Sequence, residues 1–129
     1  MSILSAIPIK TPYIDQILDG KKTWEIRSKF TKKIGPVALI RSGSKTIVAT
    51  ANISEVIKIT GNLAEANAHL MGMSQWDALS CVGYYAWVLK DIVKLKEPVP
   101  YKHPFGAVTW VTLDEETTMK VNAESKKSI

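Results

Sequence analysis

The sequence predicts an α+β fold: a small mixed β-barrel carrying a few short helices on its periphery. Three observations predict it. Segments alternating apolar and polar residues, the mark of half-buried strands, recur along the chain. Short helical patterns interrupt them in no regular strand–helix–strand rhythm, which argues against a doubly wound parallel sheet. The 129 residues, 46% hydrophobic and 22% charged, fit one domain with an ordinary core.

Ile3 to Ile9, apolar at 3, 7 and 9, reads as the opening strand. Thr11-Pro12 offers an N-cap followed by proline at the first helical position, and Tyr13, Ile14, Ile17 and Leu18 then share one helical face. Gly20 stands where a left-handed residue ends that helix. Thr23 to Arg27 alternates as a strand with Trp24 and Ile26 inward, so Thr23, Glu25 and Arg27 share the other face. Ser28 to Gly35 is a basic loop. Val37–Ile40 and Thr46–Ile53 are strands joined by a turn at Ser42-Gly43-Ser44, and Glu55 to Ile59 continues or restarts the second.

Asn62, with Glu65 three residues on, begins a helix as a variant capping box, with Leu63, Ala66 and Leu70 as its apolar side. Ser74 with Asp77 repeats the start signal and turns Trp76, Leu79 and Cys81 toward the core. Tyr84 to Val93 is a long strand rich in aromatic and β-branched residues. Val99 to Pro104 holds two prolines and reads as loop, and Ala107 to Leu113 closes the fold as a strand carrying Trp110. The ordered domain is expected over residues 1–113. Residues 114–129, with four acids against three lysines, are expected to be a polar, frayed tail.

Several chemistries are excluded early. Cys81 is the only cysteine, so no internal disulfide can form, and a reducing compartment is expected. Its apolar surroundings mark it as packing rather than a reactive thiol. No run approaches the roughly 18 apolar residues of a membrane span, and residues 1–10 lack the pattern of a signal peptide. A cytoplasmic protein without membrane association or an obligate protein partner is expected. His69, His103 and Cys81 have no zinc-ligand spacing, so no metal is expected. Gly20-Lys21-Lys22-Thr23 lacks the earlier glycine of a phosphate loop and follows a helix, and no cofactor is expected.

Charge carries the first functional hint. The net charge is +5, and the segment Lys21 to Lys33 holds six basic residues (Lys21, Lys22, Arg27, Lys29, Lys32, Lys33) against Glu25 alone. Such a stripe suits an anionic partner, most simply nucleic acid; a solvated lysine-rich face is the plain alternative. Within it, Lys22, Glu25 and Arg27 set a movable point charge, a carboxylate and a rigid fork of donors within six residues. The trio suits a polar planar ligand, because a carboxylate can accept hydrogen bonds from the exocyclic amine of a base. A surface ion-pair cluster is the alternative, and residue types alone leave both open.

The spacing Gly-x-Lys-x-x-Glu-x-Arg, filled by Gly20, Lys22, Glu25 and Arg27, resembles that of the ASCH domain, the activating-signal-cointegrator homology domain. Pro12 to Gly20 looks like that family's short helix, Gly35 to Ile40 like its next strand, and Gly106 with Trp110 like its closing strand. The resemblance implies a β-barrel related to PUA domains, whose relatives bind RNA and often read modified or flipped-out nucleotides. It implies that Lys22, Glu25 and Arg27 line a cleft, with Gly20 permitting the turn that presents them and Arg41 and Ser42 in the wall.

Small bacterial members of the family remove the acetyl group from acetylcytidine, using the matching lysine, a threonine three residues later and a more distant glutamate. Glu25 stands where that threonine would be, which leaves Thr23 as the substitute hydroxyl. The leading expectation is a domain binding RNA or a modified nucleoside. Lys21, Lys29, Lys32 and Lys33 would form a phosphate-contacting rim, and Lys22, Glu25 and Arg27 would face base or sugar. Tyr101 and His103 are candidates to stack on a base, or ordinary loop residues. The competing expectation is a hydrolase, either an amidohydrolase of acylated cytidine or a ribonuclease, with Lys22, Glu25 and Thr23 as catalytic residues. A protein-binding module using the basic surface is a third.

Overall fold

The computed structural model describes residues 3–127. Among them, six strands form one mixed sheet: β1 (Ser5–Ile9), β2 (Trp24–Arg27), β3 (Gly35–Arg41), β4 (Thr46–Lys58), β5 (Tyr85–Pro100) and β6 (Val111–Thr112), in the order β2-β5-β4-β3-β1-β6. The β1–β3 pair is parallel and the other pairs are antiparallel. Helices α1 (Tyr13–Leu18), α2 (Gly61–Asn67), α3 (Gln75–Leu79) and α4 (Glu115–Lys127) surround the sheet, with a 3₁₀ turn at Ala68–Met71. None of the described helices is long and apolar enough to cross a membrane.

The sheet curls into a half-barrel. Register shifts interrupt the β4–β5 ladder at Ile47/Ala49, Thr50/Asn52 and Ile53/Glu55, and each such bulge bends and twists a strand. Curling brings β2 back toward β1, although three strands lie between them in the sheet. Arg27 Nη2 on β2 donates to the Pro8 carbonyl on β1 at 2.6 Å. Ile7, Ile9, Leu39, Ile53, Trp87 and Leu89 fill the curl with Ile14 and Ile17 of α1. Trp24 and Ala86 pack instead with Ala64, Ala68, Met71 and Ala78 of the helical insertion.

Several local expectations are corrected. Pro12, already turned at φ −89° and ψ 0°, holds the cap position of α1, and Thr11 caps nothing. Thr60 rather than Asn62 caps α2, accepting from the Leu63 N–H at 3.3 Å; Ala64 and Ala68 then turn inward while Ala66 is exposed. Ser74 caps α3 as expected, accepting from the Asp77 N–H at 3.1 Å. Yet this five-residue helix buries only Ala78, leaving Trp76 84% exposed and Leu79 exposed, with Cys81 buried just beyond. β5 runs past Val93 to Pro100, so the loop begins at Tyr101, and β6 shrinks to two residues. Trp110 lies before β6, stacked on Trp87 with ring centres 5.4 Å apart.

The expected tail is helical over its described part, and residues 128 and 129 lie outside the described residues. Residues 115–127 form α4, whose start is capped by Asp114 Oδ1 accepting from the Thr117 N–H at 2.7 Å. Val121 packs with Leu4, Leu95 and Val99, and Thr118 Oγ1 accepts from the Leu4 N–H at 3.2 Å. The helix therefore shares the domain's core, and the ordered unit extends past residue 113.

Candidate functional site

The turn after α1 sets the site. Gly20 takes φ +79°, a left-handed conformation that costs glycine little, and the N–H groups of Lys21 and Lys22 both donate to the Gln16 carbonyl at 2.9 and 3.1 Å. Thr23 then enters the sheet, donating to the Leu70 carbonyl and accepting from the Leu89 N–H. Lys22 thus precedes the regular alternation and reaches the same cleft as Glu25 and Arg27 despite its opposite parity.

Lys22 is only 1% exposed. Its Nζ donates to the Trp24 carbonyl at 2.6 Å and the Met71 carbonyl at 2.8 Å, and lies 5.2 Å from the centre of the Tyr13 ring. Burial lowers its pKa to about 8, with the Glu25 charge pulling the other way. Glu25 is also buried. Its Oε2 accepts from Arg27 Nε at 2.9 Å and lies 2.8 Å from Arg27 Nη2. The Arg27 guanidinium lies 5.6 Å from the Trp87 ring centre, and Trp87 Nε1 donates to the Lys29 carbonyl, tying the basic loop to this wall. Lys22, Glu25, Arg27, Ser42 and Tyr13 line a cleft of about 400 Å³.

Other expected residues sit elsewhere. Arg41 points away from the cleft lining, pairing with Asp15 of α1 at 2.9 Å and holding that carboxyl below its usual range. Thr23 does not line the cleft, and the Lys22 ammonium is bound to carbonyls rather than to its hydroxyl. Gly20 shapes the turn from an exposed position. Lys21, Lys29, Lys32 and Lys33 are exposed; Lys21 borders a separate hollow with Gln16 and Gly72, and Lys33 Nζ lies 5.3 Å from the Trp110 ring centre.

Tyr101 and His103 meet each other, Oη to Nδ1 at 2.7 Å, while His103 Nε2 lies 2.7 Å from the Ala107 carbonyl. A carbonyl can only accept, so Nε2 carries the hydrogen, and in the neutral ring Nδ1 accepts from Tyr101. Burial raises the Tyr101 pKa.

Sequence reasoning missed Tyr13 as a cleft residue and Gly72 as the glycine behind it. Gly72 adopts φ +70°, and a Cβ there would overlap Gln16 Oε1 and stand 3.2 Å from Lys22 Cδ. That closeness lets the ammonium reach Met71. Gln16 Oε1 is buried without a hydrogen-bond partner among the described residues. No group of three or more His, Cys, Asp or Glu among the described residues is arranged to hold a metal ion.

The family model of the ASCH domain matches residues 7–102, well over half of the chain. The crystal structure of the ASCH protein of Zymomonas mobilis superposes with a TM-score of 0.69 at 15% identity, covering 92% of this chain and 93% of that one. A tyrosine-to-phenylalanine mutant of that protein gives 0.69 at 15% identity over 92% and 96%. A serine-to-alanine mutant gives 0.68 at 15% over 92% and 94%. At such identity the likeness is one of fold. A search of curated proteins finds no match.

Proposed function

Because this chain belongs to the ASCH domain family, we propose that its cleft binds RNA through a single nucleotide, or a modified nucleoside, as a recognition site. The PUA-like ASCH fold is generally associated with RNA and nucleoside binding. The observation that carries the reading is the fixed trio. Lys22 is locked by two carbonyls, and Glu25 and Arg27 hold each other beside it in one cleft. Arg27 engages Glu25 Oε2, which leaves Oε1 outside the pair to accept from an exocyclic amine. The exposed lysines at 29, 32 and 33 supply phosphate contacts around it. The buried lone Cys81 suits a reducing compartment, and we place the protein in the cytoplasm.

A second reading, hydrolysis of an acylated cytidine or of RNA, draws on the lowered Lys22 pKa of about 8, which suits a group exchanging protons near neutrality. Against it, the ammonium gives two hydrogen bonds to carbonyls, which favour its charged form, and Thr23 lies off the cleft lining. A nucleophile must lie within reach of its base.

The test is calorimetric titration of acetylcytidine, cytidine and a short RNA, with chromatographic assay for turnover. Recognition predicts saturable binding that Glu25→Gln weakens at least tenfold, a loss of about 1.4 kcal/mol, with no product formed. Changing Lys29, Lys32 and Lys33 together to Ala should flatten the salt dependence of RNA binding by up to about three contacts' worth. Deacetylation lost in Lys22→Met would replace recognition by hydrolysis. Neither binding nor turnover would end both readings.

A further inference from the structure

The cleft does not stop at Ser42. A second hollow of about 590 Å³ lies between the turn after β3 and the loop at residues 101–108. Pro8, Ser42 and Val108 line both spaces, which makes them two compartments of one groove with a waist at those residues.

The second compartment has its own chemistry. Tyr101, His103, Phe105 and Lys45 line it, and no acidic residue among the described residues does. Phe105 is fully exposed and Val108 nearly so, an arrangement that folding alone does not reward. Yet the loop presenting Phe105 is braced. Tyr101 donates to His103 Nδ1, His103 Nε2 donates to the Ala107 carbonyl, and the Ala107 N–H returns to the Pro104 carbonyl at 3.2 Å. Its base is fastened to the lysine, since the Tyr101 N–H donates to the Lys45 carbonyl at 3.2 Å. Lys45 itself is held at φ +57°, a conformation uncommon for a lysine. An aromatic ring and a cation thus line one space the size of a small-molecule site.

We propose that the groove takes a single-stranded RNA segment of at least two nucleotides. One nucleotide occupies the trio's cleft, and its neighbour occupies the second compartment, stacked on Phe105 with its phosphate against Lys45. The inference rests on the nucleotide reading of the first cleft and extends it from a free nucleoside to a strand. Stacking surfaces beside cations are how single strands are held without reading sequence. Charge agrees: Lys10 and Lys22 in the first compartment and Lys45 in the second face the groove, whose one acid, Glu25, is already paired with Arg27.

The experiment titrates a randomised RNA octamer, a duplex of the same length, acetylcytidine and the four nucleoside 5′-monophosphates against wild type, Phe105→Ala, Lys45→Ala and Glu25→Gln. The expected result is an octamer that binds at least about tenfold tighter than any single nucleotide. Phe105→Ala and Lys45→Ala should each weaken the octamer about tenfold while leaving mononucleotide binding unchanged, and Glu25→Gln should weaken both. Mononucleotides binding as tightly as the octamer, a duplex competing equally, or an octamer indifferent to Phe105→Ala would overturn the inference and leave the first-cleft reading standing. Failure of every probe to bind would remove both.

Discussion

Arg27 and Arg41 hold their carboxylates at nearly equal distances, 2.8 Å to Glu25 and 2.9 Å to Asp15, in unlike surroundings. The Arg41 pair lies on the outside of α1, with side-chain exposures of 33% and 48%; water screens it, and ordering two long side chains offsets most of what remains. The Arg27 pair is 21% and 9% exposed, lies against the face of Trp87, and shares its guanidinium with the Pro8 carbonyl. Removing one partner there leaves a charge in a poor solvent. Distance does not separate the two pairs. What surrounds each does, and of the two only the enclosed pair lines the cleft.

The sharpest way to break this comparison is Glu25→Ala. It should cost on the order of 3 kcal/mol in urea unfolding, because Arg27 loses its counter-charge where water cannot replace it fully. A loss no larger than that of Asp15→Ala would remove the distinction.

The next effect belongs to Lys22, whose pKa falls from 10.5 to about 8 on folding. Between those pH values the unfolded chain holds the proton and the folded chain has given it up. The unfolded state therefore binds more protons, and stability rises with pH across that window. At roughly 1.4 kcal/mol per unit the rise is on the order of 3 kcal/mol as an upper value. Denaturation midpoints from pH 7 to 11 should show it in wild type and lack it in Lys22→Met; parallel curves would mean that Lys22 keeps its proton.

The smallest effect closes the series. Asp15→Ala should leave the urea midpoint within experimental scatter at 0.15 M salt, since screening leaves so exposed a pair little to lose. A clear shift there would show that α1 depends on the outer pair as the cleft does on the inner one.

What the sequence disclosed follows the range of each interaction. β2 and most of β3 and β4 were legible because strand alternation is written locally. The Ser74 cap was legible for the same reason, because its partner Asp77 is three residues away. The family was legible through the resemblance at Gly20, Lys22, Glu25 and Arg27, all of which lie within the residues that the family model matches. The far end of β5 was hidden by Pro98 and Pro100. Beyond the residues paired with β2, this strand has β4 as its neighbour, so a proline can sit on the open edge. Helix α4 was hidden because Thr118 and Val121 are all it buries, against Leu4, Leu95 and Val99 from distant parts of the chain. At the site, the carbonyls of Met71 and Pro8 do much of the positioning, and a carbonyl leaves no mark in a sequence.

A ribosome delivers β1 before both of its partners in the sheet, and the second comes long after the first. Ala6 pairs with Ala38 on one side, 32 residues on, and with Val111 on the other, 105 residues on. Until then one edge of β1 stands open, and Leu4 waits longer still for Thr118. Pairings so distant along the chain slow folding, because the loop between them must close before any contact rewards it. The strand that holds the Pro8 carbonyl for Arg27 is therefore among the last to be locked on both sides. The cleft wall that Pro8 supports is held on its second side by residues more than a hundred positions downstream, and a chain cut before Val111, however well its central sheet forms, lacks that second rail.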